Sequence, residues 1–148
     1  MSVEEKSTWT TGLVQLAVGL WYTVTILRKA ATTPVADIDY RGELVALVIA
    51  VVALTIVGAI VVGIGSAGWA VARGRPVDDD RIDERDRSIG RFAGNVGGVV
   101  LAVGMVPALG LAVFEFHHFW IVHAMLAAFF ASEMTQSAVK IVAYRRGL

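Results

Sequence analysis

Residues 44–72 read LVALVIAVVALTIVGAIVVGIGSAGWAVA, without a single charged side chain. A hydrocarbon core about 30 Å thick takes about 20 residues of helix, so this run is longer than one straight crossing needs and is expected to tilt or protrude. Working outward, residues 92–114 form a second such run, with Pro107 inside it. A membrane helix tolerates proline where neighbours satisfy the freed carbonyl, and a kink is expected there. Residues 119–142 form a further span that ends in Tyr144-Arg145-Arg146, an interfacial anchor. Residues 8–27 are diluted by Thr8, Thr10, Thr11, Gln15, Thr23 and Thr25 but carry no charge, and Trp9, Trp21 and Tyr22 stand near their ends as an interfacial belt.

Four crossings consume most of a 148-residue chain, and a hydrophobic content of 56% is too high for a water-soluble domain of that length. The expected fold is therefore all-α: one integral membrane domain over residues 1–148, built as a four-helix transmembrane bundle. The acidic start, Met1 to Lys6, leads into a long Thr-rich run rather than a short apolar core with a cleavage site, so it is expected to be retained. Residues 28–43, with Pro34 and the run Asp37 to Gly42, read as a loop, and residues 73–91 as a charged link.

Orientation follows from Lys and Arg, which resist translocation. Lys6, Arg73, Arg75, Arg81, Arg85, Arg87, Arg91, Lys140, Arg145 and Arg146 fall on one side, and Arg28, Lys29 and Arg41 on the other. Ten against three places both termini in the cytoplasm of a cell-membrane, multi-pass protein. The pair Arg28-Lys29 runs against this count.

Bulk charge balances, with 13 basic and 13 acidic residues, and implies no nucleic-acid partner. The chain has no cysteine, so disulfides and thiolate chemistry are excluded. Gly90, Gly94, Gly98 and Ala102 recur every four residues, as do Ala124, Ala128 and Ser132. Small-residue ridges allow close helix approach, so these two are expected to pack together, with a homodimer seam as the competing use.

Glu133 is the polar group that most needs explaining, because a carboxylate in mid-membrane costs about 2.5–3.5 kcal/mol on insertion scales. Counting about 1.5 Å per residue from the helix ends puts Gln15 at nearly the same depth, and Ser66 slightly nearer the cytoplasm. A Gln15–Glu133 hydrogen bond is expected. Gln136, Ser137 and Lys140 share a face with Glu133, forming a stripe that either fixes helix register or carries a ligand or proton.

Glu115, His117, His118 and His123 are metal-ligand types, yet His118 and His123 are five apart and point to different faces, so no metal site is expected. Aromatic anchoring by Phe116, His117, Phe119 and Trp120 accounts for the segment. In the link, Asp83 and Glu84 stand at helical spacing from Arg87, so the run is expected to open a helix that continues into the third span. Asp78-Asp79-Asp80 lacks the spacing of a calcium loop. Asp83, Glu84, Arg85, Asp86 and Arg87, with Arg145 and Arg146, make a charged rim suited to a cytoplasmic protein partner.

Asp83-Glu84-Arg85-Asp86-Arg87-Ser88-Ile89, His118-Phe119-Trp120-Ile121 and Val139-Lys140-Ile141-Val142-Ala143-Tyr144-Arg145-Arg146-Gly147 resemble the membrane proteins of the "domain of unknown function 2178" type. Glu4-Glu5-Lys6 with Trp9, and Pro34 to Tyr40, are similar to its longer bacterial members. The resemblance implies the same topology and no catalytic residues. The chain departs from it at His117 and His123, where members carry Asp or Asn, which weighs further against a metal. No Ser–His–Asp set, phosphate loop or carboxylate pair can be assembled. The functional expectation is a non-enzymatic interaction, sensor or regulatory protein without cofactors, self-associating or bound to a partner. The alternative is a small dimeric transporter or proton-coupled channel that places two Glu133 carboxylates at a midplane cavity.

Overall fold

The computed structural model describes residues 3–72 and 84–146. Four long helices account for nearly all of them: α1 (Val3–Thr32), α2 (Arg41–Ala72), α3 (Glu84–Val113) and α4 (His118–Arg146). Neighbours run antiparallel, so the start of α1 and the end of α4 share one end of the bundle, where Arg145 lies over the Trp9 ring at 5.8 Å. In space the order is α2, α1, α4, α3, since α1 packs on both α2 and α4, and α3 packs chiefly on α4.

Three helices are long and apolar enough to cross a membrane, over Thr8–Thr32, Arg41–Gly65 and Glu84–Val113. Their outward faces carry large apolar side chains, with Val61 62% and Ile64 69% exposed on α2 and Val103 66% exposed on α3. Water penalises such a continuous apolar exterior and lipid does not. On α1 two of the hydroxyls that dilute the hydropathy return to the backbone: Thr23 donates to the Gly19 carbonyl and Thr25 to that of Trp21, each at 2.8 Å. A threonine bonded in this way presents its methyl outward, so a Thr-rich helix remains compatible with lipid.

Helix ends extend further than the apolar runs suggest. Arg28 and Lys29 belong to α1, which continues to Thr32, so the expected loop at 28–43 shrinks to a short link containing a 3-10 turn at Val35–Asp37. Pro34, in extended conformation, prevents the helix from continuing. The Arg41 N–H donates to Asp39 Oδ1 at 3.1 Å, helping to open α2. Lys29 is bound there too, donating to the Asp39 carbonyl at 2.8 Å and pairing with Glu43. Half of the basic pair that opposes the charge count is thus paired within the turn. The charged run opens α3 at Glu84, as its spacing indicates, and α3 continues through Pro107. Between α3 and α4, Glu115 takes the left-handed conformation at φ 55°, while the Phe116 N–H donates to the Leu111 carbonyl and the Glu115 N–H to that of Ala112. This pair of bonds is the Schellman closure of a helix end, here made without glycine.

The apolar core lies at the turn end, where Val18, Tyr22 and Ile26 of α1 meet Ile38, Leu47 of α2 and Phe119 of α4. The α3–α4 seam is built differently, from small residues. Ala128 and Ser132 are buried, as the four-residue spacing on α4 indicates, but they meet Gly104 and Gly97, on the face of α3 that also buries Ala93 and Ala108. Gly90, Gly94 and Gly98 have open space around them, which corrects the expected α3 ridge. Small residues recur on two adjacent faces of α3, and spacing alone does not say which one faces α4.

Candidate functional site

Glu133 sits where α4 passes between α1 and α3. Gln15 of α1 donates from Nε2 to Glu133 Oε2 at 3.1 Å, and Gln136, one turn along α4, donates from Nε2 to Oε1 at 3.3 Å. Both carboxylate oxygens therefore accept a neutral amide proton. Gln136 Nε2 also lies 3.4 Å from Ser132 Oγ, whose hydroxyl donates to the Gly97 carbonyl of α3 at 2.8 Å. One chain of hydrogen bonds thus ties α1 to α4 and α4 to α3. Gly97 is part of it: a Cβ there would stand 2.2 Å from Gln136 Cγ, so a side chain would push the amide off the carboxylate.

The residues of the expected stripe divide. Gln15, Glu133 and Gln136 come together, whereas among the described residues Lys140 makes no bond to them. Ser137 faces Gly12 across the α1–α4 seam instead, where a Cβ added to the glycine would meet Ser137 Cβ and Oγ at 3.5 Å. The side chain of Ser66, Asp83 and most of the link at 73–91 lie outside the described residues. Gln15 is itself only 6% exposed, and its Oε1 is a buried oxygen without a hydrogen-bond partner.

A second polar station lies nearer the turns. His123 Nδ1 is 2.6 Å from the Phe119 carbonyl, which can only accept, so this nitrogen carries the proton. Nε2 is then the acceptor for the Tyr22 hydroxyl at 3.0 Å. Phe119 stacks on the imidazole with centroids 4.0 Å apart, and Tyr40 meets it edge-on at 5.4 Å. This station was not foreseen from the sequence, where Tyr22 reads as an interfacial aromatic. Its signal was present in the spacing: Tyr22 lies two turns beyond Gln15, and His123 nearly three turns before Glu133, so both pairs meet on one antiparallel seam. His117 has another task, accepting the Phe119 N–H on Nδ1 at 3.3 Å at the start of α4. Among the described residues no group of His, Asp and Glu converges to hold a metal.

At the opposite end, Glu84, Arg87, Gly90 and Arg91 line a shallow hollow on α3, and Arg145 and Arg146 close α4 with exposed guanidinium groups. Arg85 is exposed and Asp86 half-buried beside them.

No family model matches the chain, and no curated protein or solved structure is similar to it. The two interior stations are side chains largely joined to one another, Gln15 and Gln136 to Glu133 and Tyr22 to His123, whereas Glu84, Arg85, Asp86 and Arg87 of α3 and Arg145 and Arg146 of α4 gather at the end that holds the termini.

Proposed function

We propose that the chain is a non-enzymatic membrane protein that acts by contact, as a sensor or regulatory subunit. It crosses the cell membrane four times with both termini in the cytoplasm. The fourth crossing is supported by packing: α4 lies along α3 and α1, with Phe119, Ala128, Ser132 and Ala143 buried at intervals along it, so a bilayer around those two helices encloses it as well. Orientation rests on the ten-to-three distribution of Lys and Arg.

The observation that carries the reading is the pairing of Glu133 with Gln15 and Gln136 inside one chain. A carboxylate at that depth, if it were the working group of a transport path, would be expected to face a cavity. Here it braces three helices, and the charged rim of Glu84, Arg85, Asp86, Arg87, Arg145 and Arg146 is left as the contact surface, with Asp83 adjoining it in sequence. The partner is a cytoplasmic protein or a second copy of the chain. Photo-crosslinkers placed at Arg87 and at Val103, in membranes of the native cell, test this. Adducts with a discrete protein from Arg87, against lipid adducts from Val103, are expected. A bare lipid pattern from both positions would sink it. The alternative, a dimeric proton-coupled transporter, requires Glu133→Gln to abolish flux while the folded protein survives; the contact reading expects this variant to keep its crosslinked partner.

A further inference from the structure

Helix α4 begins at His118, so His117 stands at its N-cap, and the His117 carbonyl accepts the Trp120 N–H at 2.9 Å. A helix start leaves its first N–H groups without partners, and an acceptor on the N-cap side chain commonly takes one of them. Serine, threonine, aspartate and asparagine do so with an oxygen that stays an acceptor near neutral pH. Here the acceptor is an imidazole nitrogen: His117 Nδ1 receives the Phe119 N–H at 3.3 Å. A nitrogen that accepts carries no proton, so neutral His117 holds its proton on Nε2, the opposite tautomer to His123.

The residue held by that bond is Phe119, which is 4% exposed, stacks on His123 and meets Tyr40 edge-on at 5.6 Å in the core at the turn end. Its peptide groups are gripped by two imidazoles, the N–H by His117 and the carbonyl by His123 Nδ1. A further proton affects the two differently. On His123 it would go to Nε2 and leave the bond to the Phe119 carbonyl intact. On His117 it goes to the very nitrogen that holds Phe119, sets a donor against a donor, and puts a positive charge at the positive end of the α4 dipole. His117 is also the exposed member of the pair, and His123 is half-buried.

The titratable groups on its own segment are Glu115, exposed two residues before it, and His118, edge-on to it at 6.4 Å. The elements packed on Phe119 add Tyr22 of α1, Tyr40, and Asp37 and Asp39 of the α1–α2 turn, beyond which Lys29 and Glu43 are paired with each other. None of these bonds the Phe119 N–H, so a charge among them favours or opposes protonation without replacing the bond. We propose that His117 is a pH-dependent cap: neutral, it fastens the first turn of α4 and seats Phe119 in the core; protonated, it releases both. The stability it contributes is present above the imidazole range and is lost as pH falls through it. The cap lies at the opposite end of the bundle from the charged rim, so it stands or falls separately from the contact reading; where that reading holds, it gives a sensor its input.

The test uses the full chain in lipid nanodiscs, with isotope-labelled histidine and residue-resolved amide exchange read by NMR. At about pH 8, above the imidazole range, the ring nitrogen signals should place the proton of His117 on Nε2 and that of His123 on Nδ1. Protection of the Phe119 amide, taken relative to an unstructured chain at the same pH, should fall about fivefold between about pH 8 and about pH 5, the usual loss with one N-cap. The same fall is expected in His118→Asn and none in His117→Asn, whose side-chain oxygen caps the helix at either pH. The two wild-type readings need no variant and decide the matter even where one fails to fold. A proton on His117 Nδ1 at the higher pH, protection that does not change with pH, an undiminished fall in His117→Asn, or its disappearance in His118→Asn would overturn the proposal.

Discussion

Helices α2 and α4 are opposites. The most hydropathic of the candidate spans is α2, and its side chains point outward over most of its length, with Leu47 its one fully buried large residue among those described. By contrast α4 carries His123, Ser132, Glu133, Gln136 and Lys140 and is not among the three helices apolar enough to qualify as a span alone. Yet α4 packs along both α1 and α3, while α2 packs mainly on α1. In lipid, apolar surface gains little by leaving one apolar environment for another, so hydropathy carries a helix into the bilayer without fixing it to its neighbours. Close packing and hydrogen bonds do the fixing, and α4 has them.

The comparison breaks most visibly at the α3–α4 seam. A Cβ on Gly104 would lie 2.7 Å from Ala128 Cβ and 3.1 Å from its Cα, so the helices themselves must part. Gly104→Ala is expected to lose about 1–3 kcal/mol, the usual range for overpacking, in unfolding by sodium dodecyl sulfate monitored by circular dichroism. Gly98→Ala, facing open space on the same helix, is expected to stay within about 0.5 kcal/mol, as surface substitutions do. Equal losses at both positions would mean that α3 presents a different face to α4.

A smaller effect is expected from the polar bridge. Glu133→Ala leaves the amides of Gln15 and Gln136 without their acceptor, and the same unfolding measurement should show a loss of about 1–2 kcal/mol. A double-mutant cycle with Gln15→Ala isolates the α1–α4 link, with an expected coupling of about 0.6 kcal/mol and a ceiling near 1.7. Zero coupling would leave Glu133 as a passenger and weaken the contrast between the two helices.

How much of this was legible beforehand depends on the kind of physics involved. The run at 44–72 declares α2 from composition alone, because an uncharged apolar stretch of that length is long and apolar enough to cross a membrane as one helix. The Gln15–Glu133 bond was reachable from sequence for a related reason: helices sharing a slab share a depth scale, so counting residues from the ends aligns them. The α3 ridge lies one residue from the expected one, on Gly97 rather than Gly98, because two adjacent faces carry small residues and it takes contacts across the seam, the Ser132 hydroxyl on the Gly97 carbonyl and Ala128 against Gly104, to select between them. Tyr22 and His123 were missed because their types suit a membrane edge equally well without contact. The unpaired Gln15 oxygen is a three-dimensional fact with no signature in the chain.

The gentlest test concerns how α2 is held. Lys29 and Glu43 form its ion pair to α1, at the turn, with both side chains partly exposed. Exposed pairs are worth little and are screened by salt. Lys29 also donates to the Asp39 carbonyl, so replacing Glu43 by Gln removes the charge pair and leaves that anchor in place. The expected outcome is a small drop in thermal midpoint at low salt that disappears near 1 M, where the Debye length is about 3 Å. A large drop that salt does not touch would mean that α2, for all its exposed apolar surface, is locked to the bundle by its polar end as firmly as α4 is by its middle, and the distinction between entering the membrane and being held in the fold would no longer separate these two helices.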